Sequence, residues 1–284
     1  MQKNVLVMNK KVRLLLLSAL ALLIIGSSCS CRDRNDEAGS GKIADAVMPR
    51  PVSEATDFTK VGTVEPVPGL PEQILVRNSY ITSYNNKTLC PNWVAWRITR
   101  AHATGNVGRM GNAFHEDTEV EMPRAMNSDY KGSGYSRGHM CPAGDNKWDH
   151  DAMYNTFLFT NICPQDANLN SGVWNQIEIS SRQWAEKYGE VYVICGPMFF
   201  RSSPPRYIGE NNVAVPDAFF KVVLCLDPPR AIGFICRNTD GSRKKDLYVN
   251  TLSQVERLTG FRFFPSLDPK VREKVENEAS LEQW

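Results

Sequence analysis

The chain has 284 residues, with 33 Lys and Arg against 31 Asp and Glu and a formal net charge of +2. Hydrophobic residues make up 42% and charged residues 23%, which is typical of a globular protein with a sizeable core. The length suits one large domain or two small ones. These values exclude wholesale disorder, a collagen-like fibre, a multi-span membrane protein and a strongly basic nucleic-acid coat protein. Any polyanion must therefore be bound at a local site.

The N-terminus has the layout of a secretory signal. Basic residues at 10, 11 and 13 precede an apolar run over 14–25, small residues follow at 26–28, and Cys29 comes next. The run is shorter than the roughly 18–20 residues that span a bilayer. We predict a lipoprotein-type signal peptide over residues 1–28, lipidation of Cys29, and an exported protein anchored in a bacterial cell envelope. A plain cleaved signal with a periplasmic or secreted product is the alternative.

Export changes the interpretation of the cysteines, because disulfides form in oxidising compartments. Six cysteines follow Cys31 and allow 15 pairings: Cys90, Cys141, Cys163, Cys195, Cys225 and Cys236. Cys225 and Cys236 flank a predicted hairpin turn and are candidates for a local pair. The sequence therefore predicts disulfides without fixing their connectivity.

The rest of the chain divides into a tether and a folded domain. Residues 29–71 are polar, rich in Pro, Gly and acidic residues, and predict a flexible tether. The domain is expected over 72–284, with mostly loop over 102–135. Apolar and periodic patterns predict strands over 74–76, 93–98, 157–160, 191–195, 218–226 and 231–236, and helices over 171–188 and 253–258. Strands dominate around one long helix, so the predicted class is α+β.

The segment 134–142 contains two overlapping patterns. Its Gly-Tyr-Ser-Arg-Gly part matches the nucleophile elbow of serine hydrolases, with Ser136 as nucleophile. That elbow needs an apolar strand before it and a helix after it, whereas polar residues precede Ser136 and Pro142 follows. The triad also needs a His well downstream, and the last one is His150. A serine hydrolase is therefore disfavoured.

The second pattern centres on His139 and the long predicted helix. Asn170 begins that helix, and Glu178 and Arg182 follow on it. At about 100° per residue the three lie at about 0°, 80° and 120°, on one side of the helix. These groups suit metal-assisted phosphodiester chemistry. Oxygen ligands can hold a metal ion, a guanidinium can stabilise charge on the phosphate, and an imidazole with a pKa of about 6.5 can take a proton from water near neutral pH.

The same residues carry a family resemblance. Ser136-Arg137-Gly138-His139 stands where the sugar-non-specific DNA/RNA endonucleases, the family of the Serratia nuclease and endonuclease G, have Asp-Arg-Gly-His. The likeness continues through Asn161, Pro164-Gln165, Leu169-Asn170, Trp174 and Glu178 to Phe219-Phe220-Lys221-Val222. It covers roughly residues 75–265. The chain thus resembles this family over nearly the whole predicted domain.

The resemblance implies a mixed α/β domain with an antiparallel sheet and a ββα-metal (His-Me) finger. It implies Mg²⁺ as cofactor, with Mn²⁺ as a substitute, and DNA and RNA as substrates. By resemblance, His139 is the general base, Asn170 the direct metal ligand, and Glu178 the holder of a metal-bound water. Arg182 would stabilise charge at the scissile phosphate.

Three further residues take roles from the same resemblance. Arg109 would be a second catalytic and substrate-binding arginine, beside Arg182. Asn161 would support the geometry of the His and the metal. Arg137 would contact the backbone phosphate of the substrate.

One departure keeps other interpretations open. Ser136 replaces the family's Asp and brings no charge, so the alternative function is a catalytically weak nucleic-acid-binding or surface lipoprotein.

Two structural alternatives also stay open for the site residues. Glu178 and Arg182, four residues apart, could form only an ion pair with each other. His139, Cys141 and Cys163 could in principle bind zinc, although their spacing fits no common site.

Overall fold

The computed structural model describes residues 53–109, 113–202, 204–239 and 244–284. The predicted signal peptide, the lipidation site Cys29 and the tether up to residue 52 lie outside these ranges and stay predictions. Within the described ranges, no helix has the length and apolar character needed to cross a membrane.

The described chain contains both strands and helices. Eleven strands are described there: β1 Gln73–Val76, β2 Ile81–Asn85, β3 Cys90–Thr99, β4 Ser136–His139, β5 Ile162–Gln165, β6 Glu190–Met198, β7 Tyr207–Ile208, β8 Val213–Ala214, β9 Ala218–Leu226, β10 Pro229–Arg237 and β11 Val249–Asn250. Seven α-helices are described there: α1 Arg100–Ala103, α2 Asn127–Tyr130, α3 His150–Asn155, α4 Ala167–Leu169, α5 Asn175–Tyr188, α6 Leu252–Thr259 and α7 Pro269–Val275.

Seven of these strands form one antiparallel sheet in the order β1-β2-β3-β6-β9-β10-β11. The central strands β3, β6 and β9 are buried along nearly their whole length, so both faces of the sheet are covered. This explains their almost continuous apolar runs, which the sequence indicated. In β9, Phe219 and Val223 face one layer, and Phe220 and Val222 face the other.

The two faces are covered by different parts of the chain. Helix α5 packs its buried Ile177 and Trp184 on the first face. The second face is covered by α6 and α7 and by the segment before β1, in which Phe58 is 6% exposed and Val61 is fully buried. The predicted tether ended at residue 71, and that boundary is wrong. Residues 53–71 belong to the fold, because their apolar side chains complete this second layer.

A smaller antiparallel pair, β4 with β5, stands beside the sheet and leads through α4 into α5. This is the β-β-α arrangement expected of the metal finger. The apolar run 157–160 is predicted as a strand, but its second half belongs to a 3₁₀ turn over Phe159–Asn161. The strand β5 begins after that turn, at Ile162. The sequence patterns do not predict β2, β4, β5 or the two-residue strands β7, β8 and β11.

The predicted disulfides are absent from the described structure, in which all six cysteines are free and buried. Cys225 pairs across the β9–β10 ladder with Arg230, whereas Cys236 pairs with Phe219. Arg230 and Cys236 are six steps apart along β10, about 20 Å at roughly 3.3 Å per residue. A disulfide needs its Cα atoms within about 7 Å. The local pair suggested by the sequence is therefore wrong.

Candidate active site

One groove between β4, the start of α5 and the loops around them collects most of the predicted site. It is polar, and it is open on one side. The side chains of six predicted site residues line it: Arg109, Arg137, His139, Asn170, Glu178 and Arg182. The structure thus brings together every predicted catalytic, substrate-binding and metal-holding residue except Asn161.

His139 ends β4, and its ring lies between two aromatic side chains. The ring centroid is 5.0 Å from that of Phe157 and 5.4 Å from that of Phe114. Its Nε2 is buried and has no hydrogen-bond partner among the described residues. Burial, and secondarily the charge of Arg109, lower the pKa of His139 to about 3. The imidazole is therefore in its neutral form at neutral pH, the form that has a free nitrogen lone pair.

Asn161 lies behind His139 rather than in the groove and is completely buried. Its amide group donates to the carbonyl oxygens of Cys141 and Thr156, both at 2.8 Å, and its Oδ1 accepts from the Cys141 N–H at 2.9 Å. Two of these bonds hold Cys141, which follows His139 by two residues, and the third ties it to Thr156 at the end of α3. The Asn161 side chain is therefore fully engaged with the backbone and does not line the groove.

Asn170 is presented by a wide, π-helical turn over Asn170–Trp174, between α4 and α5. Gly172 in this turn departs from helical geometry, with φ −93° and ψ −118°. The straight-helix angles used for the prediction therefore do not apply. Asn170 still reaches the groove together with Glu178 and Arg182 because the turn reorients the chain just before α5 begins.

The ion-pair interpretation required Glu178 to pair with Arg182, and the structure shows no such pair. Its Oε1 lies 3.8 Å from Nζ of Lys221, whose side chain is 1% exposed. Burial raises the pKa of Glu178 to about 7, and Lys221 opposes that rise. Lys221 was missed as a site residue. A single Lys inside the apolar strand Ala218–Leu226 was the signal that could have revealed it.

Arg182 is fixed instead by Asp145, a second residue that the prediction missed. Nη1 of Arg182 donates to Oδ1 of Asp145 at 2.7 Å, and the Asp145 side chain is 1% exposed. Its other oxygen accepts from Nε1 of Trp96 at 2.9 Å. Gly144 makes room for the guanidinium, since a Cβ there would lie 2.7 Å from Nη1 of Arg182.

The other two arginines rest on aromatic rings. The Arg137 guanidinium lies 5.5 Å from the ring centroids of Phe114 and of Tyr130, and the Arg109 guanidinium lies 5.3 Å from that of Phe157. Contact with a ring face restrains a guanidinium while its N–H groups point elsewhere, and Nη2 of Arg137 donates to the Asn127 carbonyl oxygen at 3.1 Å. The groove therefore presents three cationic groups suited to phosphate oxygens.

Ser136, which replaces the family's Asp, points away from this groove. Successive side chains of a strand point to opposite faces, so Arg137 and His139 share one face of β4 and Ser136 the other. Cys163 pairs with Gly138 and thus also lies on the face away from His139. This geometry disfavours the zinc interpretation. Ser136 also begins a strand rather than an elbow, which disfavours the serine hydrolase.

The oxygen donors of the groove suit a hydrated divalent cation. They are the side-chain amide of Asn170 and the carboxylate of Glu178. Among the described residues, no group of three or more His, Cys, Asp or Glu side chains could enclose a metal ion. Mg²⁺ keeps several waters and needs only one or two protein oxygens, so these two donors fit it.

Comparison with known proteins adds a family to this geometry. The sequence profile of the DNA/RNA non-specific endonucleases matches residues 58–270. Human mitochondrial nuclease EXOG is 33% identical over 253 residues, which is 81% of this chain and 64% of EXOG. Human mitochondrial endonuclease G is 33% identical over 215 residues, 71% of this chain and 72% of that protein. Nuclease C1 of Cunninghamella echinulata var. echinulata is 36% identical over 217 residues, 71% of this chain and 86% of that nuclease.

A solved structure shows the same architecture. A chain of the EndoG/EndoGI complex matches with a TM-score of 0.65 and 28% sequence identity, over 72% of this chain and 90% of that one. The match to human EXOG, by contrast, spans less than two thirds of that protein's length.

Proposed function

This chain belongs to the DNA/RNA non-specific endonuclease family, and from that premise we propose that it is a Mg²⁺-dependent, sequence-non-specific endonuclease acting on DNA and RNA. One observation carries the proposal. A neutral imidazole, two oxygen-donor side chains and three guanidinium groups converge on a single groove. This is the set of groups that phosphodiester hydrolysis needs.

In the proposed reaction, His139 takes a proton from a water molecule while the water oxygen attacks phosphorus in line. The bond from phosphorus to the 3′-oxygen breaks, and that oxygen takes a proton from solvent. Asn170 would hold the divalent cation directly, and Glu178 would hold it through a water. When bound, the cation supplies positive charge that stabilises the leaving oxygen and the phosphate.

The arginines determine where the phosphate sits. Arg182, held by Asp145, would stabilise the charge that develops on the phosphate oxygens. Arg109 and Arg137, stacked on aromatic rings, would bind the phosphodiester on either side of His139. All of these contacts are to phosphate groups, which are the same at every nucleotide. Contacts of this kind position a nucleic acid without reading its sequence.

The alternative is a catalytically weak nucleic-acid-binding or surface lipoprotein, and it rests on Ser136. The placement of Ser136 on the face of β4 away from His139 favours the nuclease. The proposal also includes export and lipid anchoring, supported by the sequence of residues 1–29 alone. Labelling of the expressed protein with a radioactive fatty acid, lost in Cys29→Ala, tests that part.

The main test is cleavage of supercoiled plasmid and of a folded RNA by the purified protein, with Mg²⁺ and with EDTA. His139→Ala should lower the rate on both substrates by about 10²–10⁴-fold, the contribution of a general base. His150→Ala is the matched control, because His150 is exposed on α3 and does not line the groove. A loss under fivefold in His139→Ala would reject the base. Binding without turnover in any divalent metal would favour the alternative.

A further inference from the structure

Lys221 is a buried cation directly beneath the groove. It lies in the middle of β9, paired with Cys195 of β6 on one side and Phe234 of β10 on the other. Its relative exposure is 0%, and its ammonium group has no hydrogen-bond partner among the described residues. Lysine is almost never fully buried unless it is paired. The group with which this lysine is paired therefore explains its presence.

Within the described residues, that group is the Glu178 carboxylate, whose Oε1 lies 3.8 Å from Nζ. Stability alone does not account for the pair. Two charges lose more hydration on burial than a loose ion pair returns, and apolar residues of similar size are often at least as stable in such places. A methionine would fill the same space. The charge of Lys221 thus acts on Glu178, which lines the groove.

The same ammonium also contacts the turn that presents Asn170. Nζ lies 4.3 Å from the ring centroid of Trp174 and 5.5 Å from that of Trp96. Trp174 is the last residue of the Asn170–Trp174 turn, and its Nε1 donates to the His139 carbonyl oxygen at 3.4 Å. Lys221 thus contacts one proposed metal-holding side chain, Glu178, and the turn that carries the other, Asn170.

We propose that Lys221 is a positioning residue: its ammonium fixes the Glu178 carboxylate in the groove, so that Glu178 holds one water of the hydrated divalent cation in a defined place. This inference rests on the proposed function, which places a divalent cation at Asn170 and Glu178. It assigns no contact between Lys221 and the substrate. It predicts that Lys221 strengthens cation binding although it is itself positively charged.

The test measures Mn²⁺ binding to the purified protein without nucleic acid, by electron paramagnetic resonance of free Mn²⁺. Lys221→Met keeps the length and the packing between the tryptophan rings and removes the charge. The Mn²⁺ dissociation constant should rise about tenfold, in the range found when residues behind a metal site are changed. The Mg²⁺ concentration for half-maximal cleavage should rise by a similar factor.

A double-mutant cycle identifies the path of the effect. In a Glu178→Gln background, Lys221→Met should change the Mn²⁺ dissociation constant by less than twofold, because Lys221 acts through Glu178. Lys245→Met is the matched control. Lys245 is a part-buried lysine that bonds Ser180 of α5 and lies 5.7 Å from the ring centroid of Trp184, outside the groove. It should leave the dissociation constant within twofold.

Several outcomes overturn the inference. A folded Lys221→Met protein with unchanged or tighter Mn²⁺ binding would show that the lysine is structural or simply repels the cation. Near-ultraviolet circular dichroism reports whether the variant folds. If it does not fold, Glu178→Gln alone decides, because a dissociation constant within twofold of wild type leaves Lys221 nothing to position. If the Mn²⁺ dissociation constants follow the expected pattern in this cycle but the wild-type protein cleaves no nucleic acid, the inference on Lys221 stands and the proposed function is rejected.

Discussion

Asp145→Asn tests whether the buried partner of Arg182 matters to the site. The Asp145 oxygens accept from Arg182 at 2.7 Å and from Trp96 at 2.9 Å. The amide keeps the shape but must turn its NH₂ group towards one of these donors. A hydrogen bond to a charged group contributes about 1.5–3 kcal/mol. Losing a fully buried ionic partner costs about 3–5 kcal/mol, an upper bound here because Arg182 is 19% exposed. We expect a loss of about 2–3 kcal/mol.

That loss should lower the melting temperature by about 5–10 °C for a domain of this size. The effect on catalysis should be larger than the effect on folding. An unrestrained Arg182 can move by an ångström or more, and misplacement of that size costs about 10²-fold in rate. We therefore expect kcat to fall about 10–100-fold. Urea unfolding and plasmid cleavage at saturating Mg²⁺, well below the melting temperature, measure the two effects separately.

The reasoning is refuted if folded Asp145→Asn keeps kcat within threefold of wild type. It is also refuted if the substitution lowers kcat equally in the wild-type and Arg182→Ala backgrounds, since Asp145 would then act by another path. In the Arg182→Ala background we expect a further loss below about threefold. His150→Ala, an exposed substitution on α3, serves as the control for handling and concentration.

Two further predictions concern Ser136 and the N-terminal segment. Ser136→Asp restores the family motif and should change kcat/KM by less than about threefold in the same cleavage assay, because residue 136 lies on the face of β4 away from His139; a change above tenfold would place it in the site. Phe58→Ala should lower the free energy of unfolding by about 3 kcal/mol or more in urea, as expected for a phenylalanine that is 6% exposed and packs edge-on against Tyr192. A flexible tether would show no change.

The residues of the groove were predictable from the sequence because they lie in an ordered motif. His139, Asn170 and Glu178 occur at fixed spacings on one finger, so a short stretch of sequence carries most of the site. The two residues that support this site, Lys221 and Asp145, were not predicted. Lys221 is 43 residues beyond Glu178, and Asp145 reaches Arg182 from the turn after β4. The contact of Lys221 depends on how the sheet packs against α5 and that of Asp145 on how the turn after β4 packs against it, and sequence spacing alone does not reveal either.

The fold was predictable where one kind of residue dominated a segment. The central strands are apolar on both faces, so their sequences identified them. Strands β4 and β5, which pair with each other beside the sheet, have no alternating pattern and are not predicted by the sequence. Their sequences are Ser-Arg-Gly-His and Ile-Cys-Pro-Gln. The sequence of residues 53–71 predicts a tether because it is polar, rich in Pro, Gly and acidic residues, and its few apolar residues show no periodicity. Packing against the existing sheet, rather than local periodicity, orders it.

The two supports also explain why Glu178 and Arg182 do not pair with each other. On an isolated helix, residues four apart with opposite charges attract. Here Lys221 engages the carboxylate and Asp145 engages the guanidinium, both from the buried side. Both side chains therefore remain available to the groove, where the proposed function uses Glu178 for a cation and Arg182 for a phosphate. A chain with a net charge of only +2 can thus concentrate both signs of charge at one phosphodiester. Catalysis would then depend on the local order of charges, which no measure of overall basicity reveals.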